Sequence, residues 1–209
     1  MDRVFFLPRI YWHKRKETHM FALLILDMQV GLVHGPDRPW GREALLETLN
    51  RLIRNAREAD APIFLARHLG PAGSPIEPGS PLTELVPELQ LMGDEVIFEK
   101  NRPNAFVATG LAGQLRERGC EGIVVTGMKT QYCVDSTCRA ARDLGFDAVL
   151  IADGHTCSDT PTLEAEAIIA HHNATLAGPF CRVVQAKEWS FQDTPLIDPS
   201  QGSIRPLGY

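Results

Sequence analysis

The chain has 209 residues, of which 44% are hydrophobic and 22% charged, and its formal net charge is −5. These values suit one soluble globular domain with a sizeable core, and they leave no basic block dense enough for nucleic acid. No apolar run approaches the ~20 residues that span a bilayer.

Residues 1–19 read as an N-terminal extension. Tyr11-Trp12-His13-Lys14-Arg15-Lys16 lies where a signal peptide would need apolar residues, and Met20, just before the first apolar run, reads as the natural start. Phe21–Leu26 is the first predicted strand. Ala44–Ala59 carries Leu45, Leu46, Leu49, Leu52 and Ile53 at helical spacing. Pro62–Ala66 is the second strand. Gly70–Pro81 holds three Gly and four Pro and is a long loop, a length that usually signals function. Glu95–Glu99 is the third strand, Leu111–Arg118 a helix ending at Gly119, and Gly122–Thr126 the fourth strand. Gln131–Leu144 is a helix stopped by Gly145, a C-cap signal. Asp147–Ala152 is a strand, Thr162–Ala177 a helix and Cys181–Gln185 the sixth strand. The tail after Trp189 is rich in Pro and Gly. The organisation is therefore an extension over 1–19, one domain over 20–190 and a tail over 191–209. Strands alternating with helices imply an α/β fold: a six-stranded parallel sheet between two helical layers, Rossmann-like, with right-handed crossovers.

Five cysteines, an odd number without a CxxC, argue against a disulfide framework and against a thiolate zinc site, and they suit a reducing cytoplasm. Most should be small buried hydrophobes. Cys133 differs in position. It follows Val124-Val125-Thr126-Gly127, a strand and Gly turn, at the predicted start of a helix, where unpaired N–H groups and the helix dipole favour a thiolate. The same N–H groups could hold an oxyanion. Asp27 ends the first strand and could take a thiol proton if its pKa were raised. Lys100, after the third strand, would stabilise both anions, although an exposed lysine is the default for its type. Open α/β sheets put chemistry beyond the carboxyl ends of their strands, which is where all three residues fall. His68 ends the second strand, but no second ligand at short spacing accompanies it, so no metal site is implied. Gly70-Pro71-Ala72-Gly73-Ser74 lacks the lysine of a phosphate loop.

The strand Ala22–Asp27 with Gln29, the run Phe98-Glu99-Lys100-Asn101-Arg102-Pro103-Asn104-Ala105-Phe106, and Val125–Val134 with Thr137 and Ala140-Ala141 together resemble the isochorismatase-like cysteine hydrolase superfamily. Ala170–Leu176 is similar as well. That superfamily includes nicotinamidases, N-carbamoylsarcosine amidase, ureidoacrylate and biuret amidohydrolases, streptothricin hydrolase and isochorismatase. The resemblance runs from about Phe21 to Glu188. It implies a triad of Asp27 as base, Lys100, and Cys133 as nucleophile. It implies a cis peptide between Met128 and Lys129, with the N–H groups of Lys129 and Cys133 as oxyanion hole. It also implies no cofactor, a small-molecule substrate and a homo-oligomer, dimer or tetramer.

Two departures narrow the expectation. The nicotinamidases' Asp-x-His metal site after the second strand is absent from Ala66-Arg67-His68, and isochorismatases, which cleave a vinyl ether, lack the nucleophilic cysteine that is present here. The expected activity is cysteine-dependent hydrolysis of a C–N bond in a small amide, lactam or ureide through a thioester. His34, Trp40 and His68 are candidate substrate contacts, and loops Val30–Gly41 and Gly70–Pro81 are the candidate pocket walls. The alternatives are vinyl-ether hydrolysis, a non-catalytic binding module on the same fold and, more distantly, a redox thiol enzyme with Cys138 as partner.

Overall fold

A computed structural model describes residues 19–192. The expected N-terminal extension and the C-terminal tail lie almost wholly outside the described residues. Along the chain run β1 (Met20–Leu26), a one-turn α1 (Val30–Val33), α2 (Arg42–Glu58), β2 (Ile63–His68), β3 (Val96–Lys100), α3 (Leu111–Glu117), β4 (Cys120–Met128), α4 (Asp135–Asp143), β5 (Asp147–Thr156), α5 (Ala165–Leu176) and β6 (Arg182–Val184). The strands form one parallel sheet in the order β3-β2-β1-β4-β5-β6. No described helix is long and apolar enough to cross a membrane.

Strand side chains alternate between faces, so a strand covered on both sides must be apolar throughout. β1 shows this. Phe21, Leu23 and Ile25 pack with Leu45, Leu49, Leu52 and Ile53 of α2, while Ala22, Leu24 and Leu26 pack with Leu111 and Leu115 of α3 and with Cys138 and Ala141 of α4. Trp189 meets Phe21 edge-on at 5.2 Å and Phe191 at 5.6 Å, so the core reaches one residue past the boundary expected at 190.

Two elements differ from the sequence reading in ways that matter for the site. The expected helix over 131–144 opens with a wide turn, Thr130–Val134, in which the Val134 N–H reaches back five residues to the Lys129 carbonyl at 3.3 Å. Such π-type turns occur mostly at functional sites. β5 runs four residues beyond Ala152, through Asp153-Gly154, and carries His155 and Thr156 to the same end of the sheet.

The strand order reverses between β1 and β4, and a crevice opens beyond the carboxyl ends of strands at such a point. The two strands come unusually close there. Gly127 has φ +102°, and a Cβ on it would lie 2.1 Å from the Leu26 carbonyl oxygen. Only glycine fits. Gly127→Ala should therefore lower the unfolding free energy by about 3 kcal/mol. Urea unfolding would check this, and an unchanged midpoint would show that β1 and β4 can separate at no cost.

Candidate active site

Register brings the three sheet-end residues to one level. Leu26 pairs with Ala66 on one side and Gly127 on the other, and His68 pairs with Lys100. The next residue after Leu26 is Asp27, which leaves the strand at φ +55° with its N–H donated to the Ala66 carbonyl at 3.1 Å. The Asp27 side chain is 1% exposed and that of Lys100 is fully buried, so the default of an exposed lysine does not hold here. Lys100 Nζ donates to Asp27 Oδ2 at 2.8 Å, to Cys133 Sγ at 3.2 Å and to His68 Nδ1 at 3.0 Å, with the Arg102 carbonyl at 3.4 Å. A carboxylate oxygen of Asp27, a ring nitrogen of His68 and Sγ of Cys133 all lie within 4.8 Å of one another. This ligand-like cluster is centred on the Lys100 ammonium, so a metal ion at that point would have to displace it.

Cys133 sits in the wide turn before α4. Thr137 on α4 accepts from the Ala105 N–H at 3.1 Å, which ties the segment after Lys100 to the helix that follows Cys133. The peptide between Met128 and Lys129 is cis. All five cysteines are free and buried. The expected resting thiolate is overturned. Burial pushes the Cys133 thiol up to about 12, and the Asp27 charge pushes the same way against Lys100. The field of a helix start does not offset that loss of solvent. Burial also raises Asp27, against the charge of Lys100. Burial therefore disfavours the charged form of both Cys133 and Asp27, and the charge of Lys100 opposes it in both. Asp27 Oδ1 is buried without a hydrogen-bond partner among the described residues, which makes it the atom free to receive a proton.

The candidate substrate contacts separate. A cleft of about 270 Å³ is lined by Val30, Leu32, His34 and Pro36 from one expected loop, by Pro75, Ile76 and Leu82 from or beside the other, and by Lys129. His34 lines it and pairs with Glu88 at 2.8 Å. His68 reaches the triad. Trp40 does not line the cleft. Its indole is half exposed, and its backbone is tied to Cys157 and Thr156.

Sequence reasoning missed a buried chain behind the turn Thr130–Val134. Thr130 Oγ1 lies 2.8 Å from His155 Nδ1, and His155 Nε2 lies 2.9 Å from Asn173 Oδ1. Asn173 spends its amide on the Ala152 carbonyl at 3.2 Å, so its oxygen faces His155 and accepts from Nε2–H. Nδ1 is then bare and accepts from the Thr130 hydroxyl. The signal was a polar residue at a strand end, but Asp153-Gly154 broke the apolar pattern before it.

Against this geometry the comparisons are consistent. The Isochorismatase domain family matches residues 21–184. The chain belongs to the isochorismatase family. It is 29% identical over 172 residues to the secreted isochorismatase effector Isc1 of Verticillium dahliae, covering 82% of this chain and 90% of that one. It is 30% identical over 169 residues to nicotinamidase 3 of Arabidopsis thaliana, covering 74% and 78%. The crystal structure of an isochorismatase from Pseudomonas putida superposes with a TM-score of 0.73 at 29% identity, covering 79% and 88%. The protein is thus an isochorismatase-family hydrolase.

His155 gives a test of stability. Burial pushes its pKa down from 6.5 to about 4. Between those values the unfolded chain holds a proton that the native chain does not, so stability present above pH 6.5 is lost as pH falls toward 4, by about 3 kcal/mol. His155→Gln should flatten that part of the stability–pH curve. An equal acid loss in both proteins, measured by urea unfolding from pH 7 to 4.5, would assign it elsewhere.

Proposed function

We propose that this hydrolase cleaves the C–N bond of a small amide, lactam or ureide with Cys133 as nucleophile. The observation that carries the reading is one buried contact set in which the side chains of Cys133, Asp27 and Lys100 meet beyond the strand ends, and Lys129, four residues before Cys133, lines the cleft. Burial raises the Cys133 thiol, so in this reading its proton passes to Asp27 as the bond forms. Asp27 takes that proton while Sγ adds to the carbonyl carbon. The N–H groups of Lys129 and Cys133 receive the oxyanion. Asp27 then returns the proton to the nitrogen as the C–N bond breaks, leaving a thioester and a free amine or ammonia. Water gives a proton to Asp27, attacks the thioester, and releases the acid as Sγ regains its proton. Lys100 stays charged throughout.

The apolar cleft wall of Val30, Leu32, Ile76 and Leu82 suits a small substrate with a compact apolar body. The relationship to nicotinamidase 3 supports amide chemistry, and five free cysteines support a reducing, cytoplasmic setting. A homo-oligomer belongs to the same reading on family resemblance. Vinyl-ether hydrolysis is the second reading, favoured by relatives described as isochorismatases. It needs no covalent bond to Cys133.

Ammonia or amine release from a panel of small amides, lactams and ureides separates the two. Cys133→Ala should abolish release, and Asp27→Asn should reduce it about 10²–10⁴-fold. Silence across the panel, with isochorismate consumed equally by wild type and Cys133→Ala, would replace the amide reading with the second.

A further inference from the structure

The buried Lys100 ammonium has three N–H groups and no water to satisfy them. An ammonium only donates, so each of its short contacts is a donation. Asp27 Oδ2, Cys133 Sγ and His68 Nδ1 take one each, at 2.8, 3.2 and 3.0 Å. The Arg102 carbonyl, at 3.4 Å, is the only other acceptor recorded among the described residues. His68 Nδ1 is therefore bare, and the ring's proton sits on Nε2. The backbone that carries the ring is also held. Gln29 accepts from the His68 N–H at 2.7 Å and donates to the His68 carbonyl at 3.1 Å, while the same amide reaches the Thr83 carbonyl at 3.1 Å.

We infer that His68 is a positioning residue: as a neutral acceptor it fixes the Lys100 ammonium between Asp27 and Cys133, and on protonation it releases that ammonium and switches the thiol's reactivity off. An imidazolium would turn an N–H against the ammonium 3.0 Å away, where an acceptor is needed. The titratable groups that face His68 are Lys100 from β3, Asp27 from β1 and Cys133 from the nucleophile turn. Burial first, then the charge of Lys100, lower the His68 pKa from its ordinary 6.5, and Asp27 opposes them. The ring is neutral at pH 7, and reactivity is lost only as pH falls through that lowered value, below 6.5.

The switch rests on the thiol reading of the site, so its test does not depend on knowing the substrate. Carbamidomethylation of Cys133 by iodoacetamide, followed by mass spectrometry of its peptide, is timed from pH 4.5 to 8.5. Wild type is compared with His68→Asn and His68→Leu, each checked for folding by thermal melt. Asparagine offers an acceptor oxygen close to the place of Nδ1 but takes up no proton. His68→Asn should react within about threefold of wild type at pH 7.5, and its acid limb should move down by about a pH unit or vanish. His68→Leu leaves one buried N–H with only the distant carbonyl and should react about tenfold more slowly.

A wild-type acid limb in His68→Asn would assign that limb to Asp27 and overturn the switch. A His68→Leu protein as reactive as wild type would overturn the positioning role. If His68→Leu does not fold, the acid limb of His68→Asn decides alone. A Cys133 inert in wild type at pH 7.5 would instead remove the thiol reading, and the switch with it.

Discussion

One buried ammonium organises this site. A charge without water is tolerated only when it is paired and its hydrogen bonds are met. Lys100 is fully buried, so the surrounding chain must supply its acceptors. The acceptors come from three separate segments: Asp27 after β1, His68 at the end of β2, and Cys133 after β4. That demand explains why a carboxylate and a thiol, both costly to bury, sit within 4.8 Å of each other. Neither would be held there alone. The fold meets the demand through register, since His68 and Lys100 are paired neighbours and Asp27 follows a residue paired to both Ala66 and Gly127.

The sheet and the triad were legible because they leave local marks. An apolar run of strand length ends at Asp27, the strand Val96-Ile97-Phe98-Glu99 leads into Lys100, and β4 carries, one residue before its end, a glycine that nothing larger can replace. What local marks cannot carry is solvent exclusion. Nothing near Cys133 in the chain says that it is 7% exposed, and burial decides its protonation against the field of the helix start. The same limit applies to Lys100, whose type argues for the surface until its partners from distant segments are known. His155 was hidden for another reason. Asp153 and Gly154 interrupt an apolar pattern without interrupting the strand, because Ala186 N–H bonds to Asp153 Oδ1 at 2.7 Å and keeps that acid satisfied. The two cleft loops were recognisable by composition, but their meeting was not. It depends on Gly31 packing against Ile76 and Leu82, where an added Cβ would lie 2.9–3.0 Å from their side chains.

The two chemistries named among the relatives can share this arrangement because the cluster is electrically balanced. In the proposed route the site starts with Asp27 as a carboxylate, Lys100 as an ammonium, and Cys133 and His68 uncharged. In the proposed thioester route the proton passes from sulfur to Asp27 and then to the leaving nitrogen. Asp27 loses its charge as the substrate oxygen gains one, so the Lys100 ammonium is left facing an oxyanion on the backbone N–H groups and the sum over site and substrate does not change. A route that protonates a vinyl ether could use the same proton, the same carboxylate and the same ammonium without a covalent bond to sulfur. What selects between them is the accessibility of Sγ to a carbonyl carbon, set by the turn Thr130–Val134. That turn is braced from behind by Thr130, His155 and Asn173, while the Cys133 sulfur is held in front by Lys100. The sulfur is thus held between two polar networks, one closed off in the core and one open to protons at His68. Both networks bear on the same few atoms, but His155 behind the turn is buried, whereas His68 in front is only partly so.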